Sequence, residues 1–439
     1  MNPMSALAGL LRRPMTSYYL LLASAGLLLG LGLIMVLSAS SIVSYTGSGS
    51  AFTIFNRQGT WALVGLPAFW LALRMPLRLW PLLGWPAVLA SAVMLALLPF
   101  YGKEVNGVRL WLEVGPVQVQ PVEVAKLALA LWGAAVLVGK RPLLTSWRHL
   151  AVPLLVVSTV LFALVAPSDF GGMVVLVLVL GALLWVAGVR FRVFAVLGVV
   201  TSAAATVLIL ASPERIDRLS SFRDPFADQQ DTGFQAVRGF YSLATGGWFG
   251  VGLGQSREKW GRLPLAYNDF IYAVIGEELG VLGSLVVLLL FTVMTYAGLR
   301  IARRMDDPFR RLVASACTVW LGGQALINIG GVLGLLPITG LPLPLISAGG
   351  SALVITMFVI GMLASFARTE PDAVTALHAR GRTWWVRLSG IPLPPLPSAP
   401  RASRPRGRTS GPTVRRGSPG TAAARQALRS GSARRGGRR

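Results

Sequence analysis

Apolar stretches separated by short polar segments run through most of the chain. A helix needs roughly 20 residues to cross the hydrocarbon core of a bilayer, and ten stretches reach or approach that length. They lie at residues 18–37, 60–73, 79–98, 122–138, 150–166, 171–188, 191–211, 270–299, 312–335 and 345–366. The pattern therefore predicts an all-α polytopic membrane protein, with ten transmembrane helices in a membrane domain at residues 18–367.

Basic residues in the short connections indicate the orientation of these helices, because Lys and Arg prefer the cytoplasmic side. Fourteen of them fall on one side: Arg12, Arg13, Arg74, Arg78, Lys140, Arg141, Arg148, Arg190, Arg192, Arg300, Arg303, Arg304, Arg310 and Arg311. The other side has three, Arg57, Lys103 and Arg109. Residues 1–17 and the carboxyl-terminal segment are therefore both predicted to be cytoplasmic.

Composition and charge narrow the class further. The chain is 54% hydrophobic and 13% charged, whereas a soluble domain has about 25% charged residues. Its single cysteine, Cys317, excludes an intrachain disulfide and a Cys-rich zinc module. The net charge of +24 includes +14 from residues 368–439 alone, which hold 16 Arg and 2 acidic residues. Cytoplasmic loops account for the remainder, so the charge does not indicate a nucleic-acid partner.

Residues 368–439 are rich in Arg, Pro, Gly and Ser, with too few apolar residues to form a core. They are predicted to be a disordered cytoplasmic tail. Basic residues near a membrane surface are attracted to its anionic lipids. The inner leaflet or a protein is therefore the expected partner of the tail.

Two external connections stand out. Residues 212–268, between the seventh and eighth predicted helices, form a loop of the length that is usually functional. Within it, Phe234, Val237, Tyr241 and Ala244 have helical spacing, and the five glycines at 246–254 favour a flexible turn lining a cavity over a dinucleotide-binding loop. The Pro- and Gly-rich residues 336–351 must line a cavity or pack on protein, because such backbone is not tolerated in lipid.

An ionisable pair stands at the start of the fourth predicted helix. Pro121 suits the first helical turn, and Glu123 and Lys126 then share one face. Glu123 could simply complement the helix dipole and pair with Lys126. Ionisable residues inside a span also indicate a functional site facing the bundle interior, so both interpretations stay open.

A base on the outer face has to be a carboxylate. The only histidines, His149 and His378, fall on the cytoplasmic side of the predicted topology, which excludes a Ser-His-Asp arrangement outside. Among the external carboxylates, Asp269 has a distinctive position where the long loop enters the eighth predicted helix. Asn268 and Asp269 are also good helix-capping residues, so position alone leaves a structural role equally open.

Three segments together resemble the SEDS family, which includes FtsW and RodA. They are LPLAYNDFIYAVIGEELG at residues 263–280, GQALINIGGVLGLLPITGLPLPLISAGGS at 323–351, and NGVRLW followed by QPVEVAK within 106–126. The resemblance covers nearly the whole chain before the tail and is closer to the FtsW branch. It implies a ten-helix fold and a peptidoglycan glycosyltransferase that polymerises lipid II, an undecaprenyl-diphosphate disaccharide pentapeptide, at the outer face of the cytoplasmic membrane.

The resemblance also implies a site. The family's essential Asp corresponds to Asp269, and its substrate-binding motifs correspond to Arg109, Trp111, Gln120, Glu123, Lys126 and Asp169. Val108 and Val122 stand where the family usually has Ser, and Ser168 where it has Pro. These departures put a required serine hydroxyl in doubt and leave the charged positions in place.

Chemistry and resemblance together predict a single inverting displacement, because an α-linked diphosphate is replaced by a β-glycoside. Asp269 is the expected catalytic base, and Arg109 and Lys126, with Lys259 or a divalent cation such as Mg or Mn, would stabilise the leaving diphosphate. The sequence requires no cofactor. Trp111 either stacks on a sugar or anchors the loop at the interface.

The resemblance further implies a class B penicillin-binding transpeptidase and other division proteins as partners, with location at the division septum. A division protein would then be an alternative to the inner leaflet as the partner of the tail. Three other functions remain open at this point: a lipid II flippase, an elongation polymerase like RodA, and an inactive scaffold.

Overall fold

The computed structural model describes Gly9 and residues 13–105, 108–115, 117–139, 147–229, 233–380 and 390–394 of the 439-residue chain. Most of the predicted cytoplasmic amino terminus and residues 381–389 and 395–439 of the predicted disordered tail lie outside the described residues. The predictions made for those segments stay predictions.

The described residues form thirteen helices and one small sheet. Ten helices overlap the ten predicted spans: α1 (Thr16–Ser48), α2 (Thr53–Arg74), α3 (Trp80–Tyr101), α4 (Pro121–Gly139), α5 (Trp147–Val165), α6 (Phe170–Val186), α7 (Phe191–Leu210), α10 (Ile271–Arg304), α11 (Pro308–Val332) and α12 (Gly350–Ala367). The other three are α8 (Pro213–Arg223), α9 (Phe234–Gly246) and α13 (Pro371–Arg380).

Several of these helices suit a bilayer. Among the described residues, seven helices are long and apolar enough to cross a membrane: α1, α3, α4, α7, α10, α11 and α12. The apolar part of α5 and the whole of α6 are shorter. The chain is thus a multi-pass helical membrane protein, and the count of ten spans remains a prediction.

Helix α11 lies at the centre of the bundle, where it packs against α4, α6 and α10. Helix α12 packs against α2, and α3 against α4. The approach of α3 to α4 depends on Gly84, because a Cβ there would lie 2.9 Å from the Trp132 Cα atom. Helix α7 differs from the others in having no buried residue.

A three-stranded antiparallel sheet corrects the all-α prediction. It comprises β1 (Gly102–Val105), β2 (Val108–Val114) and β3 (Val117–Val119), in the order β1-β2-β3. Residues 108–114 alternate apolar Val and Leu with Arg109, Trp111 and Glu113, the two-residue period of a strand with one polar face. The sheet connects α3 to α4 and so precedes the predicted ionisable pair.

The long connection at 212–268 contains α8 and α9. The predicted amphipathic helix is confirmed by α9, although the buried residues are Val237, Gly239, Ser242 and Gly246. Tyr241 and Ala244, predicted on the apolar face, are exposed. The small residues Gly239, Ser242 and Gly246 bring α9 close to α10, and a Cβ at Gly246 would overlap the Gly276 carbonyl oxygen.

The glycine-rich segment 246–254 docks on a break in α10. Gly280 has non-helical backbone angles (φ 70°, ψ −168°) within α10. Next to it, the Val251 and Gly252 amides donate to the carbonyls of Glu277 and Glu278 at 2.9 and 3.1 Å. These bonds satisfy carbonyls of the interrupted helix. The prediction of a flexible turn is therefore wrong, because the glycines allow close backbone pairing.

At the other end of the bundle, folded structure extends beyond residue 367. Helix α13 lies in the segment predicted to be disordered, and its residues Ala373 and Val374 are buried. The Arg304 guanidinium lies 3.1 Å from the Asp372 carboxylate, and Arg310 donates to the Thr369 hydroxyl at 2.6 Å. The predicted boundary of the tail at 368 is thus too early.

Candidate functional site

Asp269 lies two residues before the start of α10, at the end of the long connection. Tyr267 and Asn268, its neighbours, are tied to the segment after α11: the Ala348 amide donates to the Tyr267 carbonyl at 3.1 Å, and the Ser347 hydroxyl to the Asn268 carbonyl at 2.7 Å. The predicted packing of 336–351 on protein is confirmed, since Leu341, Leu343, Leu345 and Ile346 are buried. This packing fixes the backbone beside Asp269.

The Asp269 side chain is available for chemistry. Its Oδ1 atom is buried and has no hydrogen-bond partner among the described residues. A small cavity opens beside it, lined by Asp269 and Phe270, by residues of α11 and by residues 338–341. The capping role left open by the sequence is not seen, because the residue preceding α10 is Phe270 and no side chain caps that helix.

The electrostatic environment favours a proton acceptor at Asp269. Burial raises the pKa of Asp269 to about 6, with the Arg218 cation opposing this effect and the Asp169 carboxylate adding to it. Arg218 lies on α8 and is exposed. A Cβ built on Gly340 would lie 3.7 Å from Asp269 Oδ2 and 4.0 Å from an Arg218 guanidinium nitrogen, so both groups face the same glycine.

Four predicted site residues form one cluster beside this cavity. Lys126 Nζ lies 2.6 Å from Glu123 Oε1, and both side chains are almost fully buried. Asp169 caps α6 by accepting the Gly172 amide at 2.6 Å, and it interacts with the Gln120 side chain and with Lys126. Gln120, Glu123, Lys126 and Asp169 are thereby held together. Asp169 links them electrostatically to Asp269.

Contacts of Lys126 favour the structural interpretation of the ionisable pair. Its ammonium donates to Gln324 Oε1 at 2.8 Å and lies 4.9 Å from the centre of the Trp320 ring. Its ion pair, its hydrogen bonds and its ring contact are thus with α4 and α11, and Asp169 acts on it electrostatically. A direct contact of Lys126 or Glu123 with substrate stays a prediction.

Three predicted residues lie elsewhere. Arg109 is half-exposed on β2, where it pairs with Glu104 at 3.2 Å, and Trp111 lies opposite Lys103 in the same sheet. Lys259 is buried with Glu278 at 3.5 Å and donates to the Gly254 carbonyl at 2.6 Å. Lys259 therefore belongs to the cluster that holds the glycine-rich segment. Its predicted role toward the diphosphate, like those of Arg109 and Trp111, stays a prediction.

In the part of the chain that the structure describes, no three His, Cys, Asp or Glu side chains lie close enough together to hold a metal ion. The predicted divalent cation, if it arrives with a diphosphate, needs fewer protein ligands. That prediction is untested.

Sequence reasoning did not single out Arg218. It lies in a loop helix with four other charged residues, Glu214, Arg215, Asp217 and Arg223, and nothing in that pattern distinguishes it. Only the packing of the long connection places its cation beside Asp269.

Fold and site together define a multi-pass helical membrane protein with a buried carboxylate at the junction of a long loop and a helix. Residues 18–371 match the sequence model of the FtsW, RodA and SpoVE family, described as cell cycle proteins. The chain belongs to this family.

Individual relatives agree. The probable peptidoglycan glycosyltransferase FtsW of Mycobacterium tuberculosis is 45% identical over 416 residues, which is 93% of this chain and 79% of that protein. A chain of a peptidoglycan synthase complex that coordinates polymerization and crosslinking is 27% identical, with a TM-score of 0.63 over 77% of this chain and 96% of its own. Thermus thermophilus RodA is 26% identical, with a TM-score of 0.60 over 82% of this chain and 98% of its own.

Proposed function

We propose that this protein is a peptidoglycan glycosyltransferase of the FtsW type, which polymerises lipid II into glycan strands at the outer face of the cytoplasmic membrane. The observation that carries the proposal is the buried carboxylate of Asp269, whose Oδ1 atom has no hydrogen-bond partner among the described residues, beside the Arg218 cation. The names of the relatives support the same activity. Family membership and the apolar helices support a reaction at a membrane.

In the proposed reaction, Asp269 accepts the proton of the acceptor sugar hydroxyl. The hydroxyl oxygen attacks the anomeric carbon of the donor, and the bond from that carbon to the diphosphate oxygen breaks. The electron pair leaves with the diphosphate, so the α linkage becomes a β linkage in one inverting step. A base with a pKa near 6 is deprotonated at neutral pH and remains basic enough to take up the proton.

Leaving-group stabilisation requires positive charge near Asp269. Arg218 supplies it in this proposal, because its guanidinium is exposed and faces the same glycine as Asp269. A guanidinium can bind two phosphate oxygens at once. The buried Glu123–Lys126 pair then serves to hold α4 against α11 at the edge of the site.

The proposal extends to the membrane topology, the location and the partners of the protein. Ten helices cross the membrane, both termini are cytoplasmic, and residues 212–268 are external, as the distribution of basic residues indicates. The protein acts at the division septum with a class B penicillin-binding transpeptidase and other division proteins. The peptidoglycan synthase complex among the structural relatives supports a crosslinking partner, and the basic tail binds the inner leaflet or a division protein.

The experiment that tests the proposal is polymerisation of lipid II by the purified full chain with its transpeptidase partner. Glycan strands are expected, detected as labelled polymer that a muramidase digests. Vesicles containing labelled lipid II are assayed in parallel for movement across the bilayer. Translocation without polymer would support the flippase instead. The absence of both activities would support an inactive scaffold.

A further inference from the structure

Asn328, on α11, connects two segments that line the Asp269 cavity, one containing Asp269 and the other containing Leu341. Its Nδ2 atom donates to the Asp269 carbonyl and to the Leu341 carbonyl, each at 2.8 Å. Two carbonyl acceptors on one side identify that end of the amide as the nitrogen, since an oxygen there would be repelled. The other end, Oδ1, therefore points away from both carbonyls.

Asn328 Oδ1 is an unused hydrogen-bond acceptor. The side chain is 6% exposed, and its oxygen is buried without a hydrogen-bond partner among the described residues. Leaving a buried acceptor unsatisfied costs free energy. Asp269 Oδ1, which lines the same cavity, is unpartnered in the same way.

Two acceptors without donors, on two residues that line one cavity, are suited to a ligand that carries two donors. We infer that Asn328 is a specificity-determining residue, whose side-chain oxygen accepts a hydrogen bond from the hydroxyl group next to the attacking hydroxyl of the acceptor sugar. This rests on the proposed function. Asp269 takes the attacking hydroxyl, and Asn328 fixes the orientation of the sugar by binding the adjacent one.

The cavity is smaller than a sugar, so one of its walls has to move for a sugar to bind. Residues 338–341 have no helix or strand structure and form one wall. The Asn328 amide holds this wall at Leu341. Binding of the sugar to Asn328 is thereby coupled to the position of the wall and of the Asp269 backbone.

The test is a competition between lipid II and an analogue in which the hydroxyl adjacent to the attacking hydroxyl is replaced by hydrogen. The two carry different labels, and their ratio in the polymer gives the ratio of kcat/KM values. The parental chain, purified whole with its partner, should prefer lipid II by about ten- to a hundredfold, the range expected for a buried acceptor left unpaired. The Asn328→Leu variant should polymerise lipid II more slowly by a similar factor. It should also incorporate the two substrates in almost equal amounts.

Gln324→Leu is the matched control. Gln324 is a buried amide one turn away on α11, but both its ends are occupied: it accepts from Lys126 and Trp320 and donates to the Pro342 carbonyl. Its loss should slow both substrates alike and keep the parental preference. Asn328→Ala removes the same acceptor oxygen with a smaller side chain and should also lose the preference, which provides a second variant if Asn328→Leu does not fold.

A preference that survives in Asn328→Leu, or no preference in the parental chain, would overturn the inference while leaving the polymerase activity standing. Failure of the parental chain to polymerise lipid II would instead overturn the proposed function. The two failures are therefore distinguishable in one experiment.

Discussion

Asp269 differs from the other carboxylates of the long connection in its surroundings. Asp217 and Asp224 are exposed on or next to α8. Asp269 is almost enclosed, and the nearest charges acting on it are Arg218 and Asp169. Desolvation penalises its charged form, and the cation partly restores it. The pKa of Asp269 is therefore raised mainly by burial and adjusted by two side chains contributed by other elements.

This arrangement predicts the pH dependence of the reaction. Asp269 acts deprotonated, so the rate should rise with pH through about 6 and then level off. Arg218→Gln removes the charge that lowers the pKa of Asp269, so the rising limb should move to higher pH. The pH profile of kcat/KM, which reports pKa values of the free enzyme, measures this shift. Arg223→Gln changes an exposed Arg on the same helix and should leave the rising part of the pH profile unchanged. If the profile of Arg218→Gln is also unchanged, Arg218 does not control the pKa of the catalytic base.

Single residues show what the sequence could and could not reveal. The family motif identified Asp269, and its membrane-edge position made it a candidate base. Arg218 and Asn328 carry no local signal: one is a charged residue on a polar helix, and the other is one of two amide residues in an apolar span. Their roles depend on which distant segments they meet, namely Gly340 and Leu341.

Among the secondary-structure elements, the break in α10 is the most constrained. Gly250 has φ 78°, and a Cβ there would overlap the Glu278 carbonyl oxygen. Buried Glu277 and Glu278 side chains strengthen the junction: Glu277 accepts from Ser242 and Ser256, and Glu278 accepts from Ser38 on α1. The glycine-rich segment is thus fixed to α1, α9 and α10 at once.

Gly250→Ala should release this segment. The positive φ costs about 1–2 kcal/mol for a residue with a Cβ, and the overlap with Glu278 should also separate the segment from α10. Gly261→Ala is the control, because Gly261 has φ 80° but open space around its Cβ position. Thermal unfolding in detergent should show a larger loss of Tm for Gly250→Ala. Equal losses would mean that backbone strain alone, not the docking, is responsible.

The Glu123–Lys126 pair makes a different prediction for α4. Lys126→Met leaves a buried carboxylate unpaired and should destabilise the fold by about 3–5 kcal/mol. Glu123→Gln with Lys126→Met removes both charges and should recover most of that stability. Unfolding midpoints of the single and double variants measure the difference. If the double variant is no more stable than Lys126→Met, the pair is not what stabilises this junction.

At the same scale, the sheet could have been found from the sequence. Residues 108–114 have the two-residue alternation of a strand, although the helical stretches on either side favour a loop there. The break at Gly280 has no such pattern, because a single glycine inside a long apolar stretch looks like any other glycine of a membrane helix.

Across the whole molecule, the apolar pattern located the helices well, because each predicted stretch overlaps a helix. It could not indicate how they pack. Helix α7, which has no buried residue, is more apolar in the sequence than the central helix α11, so hydropathy alone does not show which helix is buried. Helix α13 was missed since its few apolar residues are buried by the bundle and not by one another.

The orientation of the protein in the membrane can be tested by labelling single cysteines in the full-length chain. Cys317 is buried and is the only cysteine, so Cys317→Ala gives a background without thiols. Asp217→Cys should then react with a membrane-impermeant maleimide added to intact cells, because α8 is proposed to be external. Arg303→Cys, exposed at the other end of α10, should react only after permeabilisation. Labelling with the opposite pattern would place Asp269 on the cytoplasmic side and contradict the proposed function.

The most direct test of the central claim is the rate of lipid II polymerisation by the purified Asp269→Asn variant with its transpeptidase partner. Asparagine keeps the size of the side chain but cannot accept the proton, so the rate should fall by about 10²- to 10⁴-fold while the unfolding midpoint is retained. Asp217→Asn, an exposed carboxylate of the same connection, should polymerise at the parental rate. An Asp269→Asn variant that polymerises lipid II as fast as the parental chain would contradict the account.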